Sequence, residues 1–502
     1  MKKPKLPPLL TDAAARRELY AAWRAPFFAA FFVGLAAHGY AFTNKLINHD
    51  DIESLFGKGA TVTSGRWGLE AIKILFPDWS MPWIYGLLSL LLLSAAACLM
   101  LQILDIRKPR VQMLMAALVT TFPSLTGNFC FMFTSAPYAW AFLLAVLAVW
   151  LHRNGQRVLA PPVLMLALGI YQAYIAVTAS LFVLLMIAEA LDADKSVKEI
   201  VFDGLRALAM MLLGVALYYG VTLLVLRFAG ESFNTYVTDN VSASVPLLRR
   251  VRTAYDAFYY IFSFRAFYLI TSETLRYMHI LLGAVLLCCM GAIALRKGKW
   301  LHAALLAFLT LLLPLAICCM FLIMSQQSIH TLVLYSFVAV YLLAALVIER
   351  LTPPVGRAAG GLMSVMLALI AAGNIYFANM CYLKMQLQYE NAHAFYTILL
   401  TQVMQTEGFD ENSRLAVLGK QDNLLYRYDE MDTDLMQGPN KDLVNIYSRE
   451  NFIRLYLGYE LPFADEESLA ALENDPRVQA MPEYPYFGSV AKIDDFIVVK
   501  LG

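Results

Sequence analysis

The residues richest in chemical potential sit early in the chain, in Asn48-His49-Asp50-Asp51-Ile52-Glu53. Asp50, Asp51 and Glu53 place three carboxylates within four positions, directly after an apolar run. Charge at a membrane exit is costly unless it is used. Adjacent aspartates repel, so one is expected to hold its proton more tightly, which suits a general base or a cation site. The plainer alternative is a helix cap in a solvated loop. Gly65-Arg66-Trp67-Gly68 follows. A guanidinium between glycines matches a phosphate in bidentate fashion, and an indole offers a stacking face for a sugar or a headgroup. Its alternative is a snorkelling Arg beside an interfacial Trp. Tyr171-Gln172-Ala173-Tyr174 interrupts a helical run, and polar side chains at that depth must find partners. Those are either neighbouring helices or a sugar hydroxyl or phosphate. Asn128, Thr134, Ser135 and Tyr138 form another such tip, and Gln326, Gln327 and His330 a third. All three fall on the same side of the membrane in the layout below, which predicts a cavity open to that side.

The elements that must position these residues are membrane helices. The chain has 502 residues, 60% hydrophobic and only 15% charged, with mean hydropathy +0.59. Soluble domains are about half apolar and a quarter charged, so a soluble enzyme is excluded. A net charge of +1 leaves no field for nucleic acid. Seven cysteines lie in or beside apolar stretches without metal-ligand spacing and read as packed thiols. The 22 Met and 30 Phe read as packing or lipid-facing residues, not as a cofactor site. No Walker loop, GxGxxG, HExxH or catalytic Ser motif occurs.

Eleven stretches approach the length needed to cross about 30 Å of hydrocarbon: 26–44, 81–104, 112–127, 137–151, 159–173, 175–191, 206–228, 277–295, 301–323, 331–349 and 358–379. Pro123, Gly127 and Pro137 are expected to break 112–151 into a pair, and Gly169-Ile170-Tyr171-Gln172 to break 159–191. The basic N-terminus before the first run reads as the flank of a retained span rather than a cleaved leader. With that terminus inside, Lys and Arg are about three times denser in inner than in outer segments, led by Arg107-Lys108-Pro109-Arg110 and Arg296-Lys297-Gly298-Lys299. The reading is a polytopic all-α membrane protein. It has a cytoplasmic N-terminus (1–25), a transmembrane domain (26–383) with long outer loops 45–80 and 229–275, and an extracytoplasmic C-terminal domain (384–502). The second loop carries Val245-Pro246-Leu247-Leu248-Arg249-Arg250 and an aromatic run from Tyr255 to Tyr268, which reads as an interfacial amphipathic helix. The tail is polar and acidic. Helices are expected over 389–406 and 441–457, and short buried strands at Arg414–Gly419 and Asp495–Lys500, giving a small α/β unit.

The order of a first span, an outer loop with His49-Asp50-Asp51, then Gly65-Arg66-Trp67, then Gly169-Ile170-Tyr171-Gln172 resembles the type II O-antigen glucosyltransferase (Gtr) family of bacterial membrane proteins. That family looks like a distant relative of the GT-C glycosyltransferases. Tyr484-Pro485 through Phe496-Ile497-Val498-Val499-Lys500 is also similar to Gram-positive members. The resemblance implies a GT-C-like domain that moves a hexose, typically glucose, from a polyprenyl-phosphate sugar. The acceptor is a cell-surface polysaccharide or teichoic-type glycan at the outer face of a bacterial cytoplasmic membrane. It implies inversion with a first-loop Asp as base, Asp51 in preference to Asp50. Arg66 would receive the leaving phosphate, with Lys45, Lys58 and Arg249 in reserve. Trp67, Glu53, Tyr171, Gln172 and His330 complete the expected substrate site. No cofactor is required, although Asp50 and Asp51, with Glu53 and His49, could hold a divalent cation. By analogy, a separate synthase and a flippase supply the donor. The competing readings are a lipid or glycan transporter and a non-catalytic scaffold. Transporters usually carry paired repeats and midplane charges, and the sequence shows neither.

Overall fold

The computed structural model describes residues 13–502 apart from 54, 56–58, 60, 241–244, 264–272, 325–330, 353–354, 411, 422–424, 432, 434–435 and 437. Among the described residues, nine helices are long and apolar enough to cross a membrane: 17–43, 82–103, 109–130, 132–153, 172–192, 197–229, 275–297, 300–317 and 356–405. Two of the eleven expected spans come out shorter. The stretch 159–173 yields a helix over Ala160–Ile170, and 331–349 yields two short 3-10 turns before a helix over Val338–Arg350.

Prolines open several helices, at Pro82, Pro109 and Pro123, where the missing N–H has no partner to lose. The first expected break falls at Phe122, whose extended backbone separates Pro109–Thr121 from Pro123–Cys130, and again at Phe131. Gly127 and Pro137 do not break anything. Gly127 lies within Pro123–Cys130, and Pro137 lies in the second turn of Met132–Arg153, close enough to its start that few backbone bonds are lost. The second break falls at Tyr171, as expected, with φ −151° and ψ 109°. Ser196 and Glu199 form a capping box that starts Val197–Ala229, and Gly230 in the left-handed region ends it.

The first span, Ala13–Thr43, packs on Pro82–Ile103 and Pro109–Thr121, and Pro82–Ile103 packs on Met132–Arg153. These form a buried centre. Val197–Ala229 keeps Leu208, Leu212, Leu213 and Leu224 exposed, as a lipid-facing helix does. Leu247–Ser263 is the expected amphipathic helix and lies against 300–317 and 320–323; the aromatic run beyond Ser263 falls outside the described residues.

The last helix differs most from expectation. Val355–Gln405 is one helix of 51 residues, so 358–379 and 389–406 are a single element that runs through position 383 without a break. Its C-terminal half is the spine of the tail. Three strands, β1 (Arg414–Leu418), β2 (Val490–Ile493) and β3 (Phe496–Lys500), form a sheet in the order β1-β3-β2. β1 runs parallel to β3, pairing Arg414 with Phe496 and Leu418 with Lys500, and β2 runs antiparallel to β3. Both faces are covered. Leu415, Val417, Ile497 and Val499 share a core with Phe395, Tyr396 and Leu399 of the long helix, whereas Ala416, Leu418 and Val498 pack with Leu472, Val478 and Met481. This period of two explains why both strands read as continuous apolar runs.

Candidate functional site

After Thr43 the chain leaves the first span and Asn48 turns it into a short helix, His49–Glu53. The Asn48 side-chain oxygen accepts from the backbone N–H groups of Asp50 (2.7 Å) and Asp51 (3.0 Å). Its amide donates to the Cys130 carbonyl, tying this helix to the end of Pro123–Cys130. An Asn cap with acidic residues in the first turn is a favourable helix start. The plain cap reading is therefore correct for Asn48, and it fixes where the carboxylates go.

The two aspartates go to different places. Asp51 is fully buried. Lys45 Nζ lies 2.5 Å from its Oδ2, and Ser80 Oγ donates to its Oδ1 at 2.9 Å. Lys45 also donates to Ser80 at 2.9 Å, closing a three-membered cluster. Asp50 is 42% exposed, with His49 Nε2 3.4 Å from its Oδ1. The side chain of Glu53 lies outside the described residues. Among the described residues, no group of three or more His, Cys, Asp or Glu is placed to hold a metal ion.

A second wall comes from the far end of the chain. The tail helix Ile446–Tyr456, capped by Asn445, packs on His49–Glu53, and Ile47 and Ile52 share a core with Phe452 and Ile453. The His49 ring sits between Phe131 and Tyr447, with centroids 6.2 and 6.3 Å away. Burial lowers the His49 pKa, Asp50 works against that, and Lys441 lowers it further. The imidazole is therefore neutral near pH 7. Protonating it must wait for pH below the ordinary imidazole range, while the unfolded chain takes up its proton earlier. The unfolded state then binds more protons, so stability from this site is present above about pH 6.5 and is lost on acidification. Acid should lower the thermal midpoint of the wild type more steeply than that of His49→Gln; parallel slopes for the two proteins would dispose of this expectation.

The Tyr456 hydroxyl is buried and finds no hydrogen-bond partner among the described residues. Burial raises its pKa, and the nearby Asp51 charge raises it further. Removing an unsatisfied buried hydroxyl should be neutral or stabilising by up to about 1 kcal/mol. Tyr456→Phe is thus expected to keep or raise the unfolding midpoint in detergent, and a clear fall would show that the hydroxyl has a partner.

The Gly-Arg-Trp element is held elsewhere, on the break of the second helical pair. Trp67 is buried, its Nε1 donates to Thr222 Oγ1 (3.1 Å), and its ring lies on Gly169, where a Cβ would come within 2.5 Å of Cζ2. The indole face is therefore occupied by the protein instead of being open for stacking. Gly65 has φ +70°, and its carbonyl accepts from Tyr218 Oη at 3.1 Å. Gln172 Nε2 donates to the Ser64 carbonyl and to Tyr218 Oη, both at 2.9 Å. Its polar group is satisfied within the protein, the interhelical alternative. The Arg66 guanidinium stands 5.7 Å from the centre of the Tyr171 ring, and Tyr171 stacks on Tyr138 at 4.2 Å. Two motifs a hundred residues apart thus meet.

Of the expected residues, Asp50 and Asp51 form one group with His49, and Arg66, Trp67, Tyr171 and Gln172 form another. His330, Gln326, Gln327 and Lys58 lie outside the described residues, and Arg249 is exposed on the amphipathic helix. Sequence reasoning missed Ser80, Tyr218, Thr222 and Tyr456, and held Lys45 only in reserve. Tyr218 and Thr222, one helical turn apart in an apolar span, carried a legible signal. Ser80 and Tyr456 carried none.

Fold and site together define a multi-pass membrane protein with a folded tail seated on its first loop. The family model of glucosyl transferase GtrII matches residues 39–343. The chain belongs to this family, and its role is that of a glycosyltransferase. The match covers both polar groups and stops before the tail. Comparison with curated proteins and with solved structures gives no match.

Proposed function

We propose that the chain moves a hexose, glucose by family, from a polyprenyl-phosphate sugar to a hydroxyl of a cell-surface glycan. The reaction runs at the outer face of a bacterial cytoplasmic membrane. The observation that carries the reading is the half-exposed Asp50 carboxylate on a capped helix in the first loop of a GtrII chain. The bias of Lys and Arg toward alternate loops supports this reading, with the N-terminus inside and the first loop and the tail outside.

Asp50 is the base and Asp51 the positioning residue, the reverse of the preference drawn from family resemblance. A base must reach an acceptor proton. Both oxygens of Asp51 are engaged by Lys45 and Ser80, whereas Asp50 faces outward. The acceptor hydroxyl gives its proton to Asp50 as its oxygen attacks the anomeric carbon. The bond from that carbon to the phosphate oxygen breaks, and the electron pair leaves with polyprenyl phosphate. One displacement inverts the centre. Arg66, oriented by Tyr171 and anchored through Trp67, receives the phosphate charge. Lys45 is a second cation near the acid helix. Because Asp51 is already committed, the transfer is read as independent of a divalent cation. A separate synthase and a flippase supply the donor.

The test is transfer of labelled glucose from polyprenyl-phosphate glucose into envelope glycan by membranes holding the wild-type protein. Label is expected in glycan, and chelator is expected to leave the rate unchanged. Failure with this donor and with other polyprenyl-linked hexoses would overturn the reading; loss of transfer with chelator would overturn its metal-independent form.

A further inference from the structure

Where the long helix meets the tail lies a cavity of about 310 Å³, outside the residues matched by the family model. Lys384 and Gln388 of the long helix form one wall, and Arg427, Tyr428, Asp429 and Asp442 form much of the rest. The wall is built. Lys384 is buried and donates to the Met431 carbonyl (2.9 Å), Thr433 Oγ1 (3.1 Å) and Asn440 Oδ1 (3.2 Å). Gln388 donates to the Pro439 carbonyl at 2.9 Å, and Arg427 Nη1 lies 2.5 Å from Asp442 Oδ2.

The chemistry of this lining is specific. Among the described residues the lining holds two cations, Lys384 and Arg427, and two carboxylates, Asp429 and Asp442, so neither sign dominates there. A phosphate or a metal ion would call for one sign to dominate. With Lys384 holding the wall together, the Tyr428 hydroxyl and the Asp429 carboxylate offer a donor and acceptors of the kind that suit a polyhydroxylated ligand, each hydroxyl of which both donates and accepts. Tyr426, largely exposed, packs against the lining residue Tyr428 with ring centroids 4.9 Å apart, so an aromatic pair borders the cavity. Residues that follow the lining along the chain reach the acid helix. Three residues beyond Asp442, Asn445 caps the helix whose Tyr447 lies against His49, and the charge of Lys441 is felt by His49.

We propose that this cavity is a carbohydrate site that holds a neutral hexose unit of the acceptor glycan and presents a neighbouring unit to the acid helix. The proposal rests on the glycosyltransferase reading above and adds the acceptor's chemical class.

The test uses full-length protein in detergent and saturation-transfer NMR. The probes are neutral gluco-, galacto-, manno- and rhamno-oligosaccharides, with inorganic phosphate as the competing chemistry. At least one oligosaccharide should bind saturably, and Tyr428→Ala and Asp429→Ala should each weaken it about tenfold, roughly 1.4 kcal/mol. Asp429 is exposed and Tyr428 half-buried, and unfolding midpoints equal to wild type check that the fold persists. The proposal is overturned if no oligosaccharide binds, if both variants bind as wild type does, or if phosphate displaces the sugar. Sugar release from the polyprenyl-phosphate donor by the same preparation reports separately on the donor reading. That reading can fail while the cavity still binds sugar, and the cavity can fail while the donor is still cleaved.

Discussion

Replacing Asp50 with Asn is expected to cut sugar transfer by a factor on the order of 10²–10⁴, the range for a lost general base, while leaving the unfolding midpoint in place. The half-exposed carboxylate has His49 as a distant partner and its backbone N–H already held by Asn48, so the amide keeps the local geometry. Asp51→Asn should behave differently. It strips Lys45 of its ion partner at a fully buried position. Breaking a buried pair costs about 3–5 kcal/mol, but Lys45 is 28% exposed and can rehydrate, which brings the expected loss to about 1–3 kcal/mol. The midpoint should fall, and transfer should fall with it because the first-loop helix loses an anchor. Measuring rate and midpoint for both variants separates the roles. Full transfer by Asp50→Asn, with Asp51→Asn inactive but as stable as wild type, would exchange the two assignments.

Gly68→Ala is expected to destabilise the protein by about 1–3 kcal/mol and to lower transfer at least about tenfold. Ordinarily, Ala in place of a helical Gly gains up to about 1 kcal/mol. Here the added Cβ would stand 2.8 Å from the backbone carbon of Gly169 and 2.7 Å from Ile170 Cγ1. Backbone cannot swing aside as a side-chain tip can, so the loop must lift. Trp67 then leaves Gly169 and Thr222, and Arg66 leaves Tyr171. Gly220→Ala is the control, since nothing lies within 4 Å of its Cβ position on the lipid-facing helix. It should be neutral or slightly stabilising. Equal midpoints and rates for the two variants would mean that the glycine seam does not hold the loop.

The sequence of this protein determined the parts whose cause is local. Apolar runs near the bilayer length gave most of the membrane helices, because a backbone in hydrocarbon must satisfy its own hydrogen bonds. Two runs fell short, since a stretch such as 331–349 can be largely apolar and still spend its start on 3-10 turns packed inside the bundle. The strands of the tail were legible as short apolar runs between turn residues. The acid cluster and the Gly-Arg-Trp element were legible as costly residue types in the loop after the first span. Tertiary structure alone decided which aspartate is buried. Asp50 and Asp51 are neighbours of the same type, and only Lys45 and Ser80, brought in from either side, single out Asp51. It also decided that Trp67 anchors the loop through a contact with Gly169, and that 358–406 forms one continuous helix. Finally, it seated the tail helix ending in Tyr456 on the first loop, a contact of some four hundred residues' separation set by packing of Ile47 and Ile52 against Phe452 and Ile453. Side-chain type and spacing specify local propensity and depth, whereas the partner that a buried charge meets is fixed by the packing of distant elements.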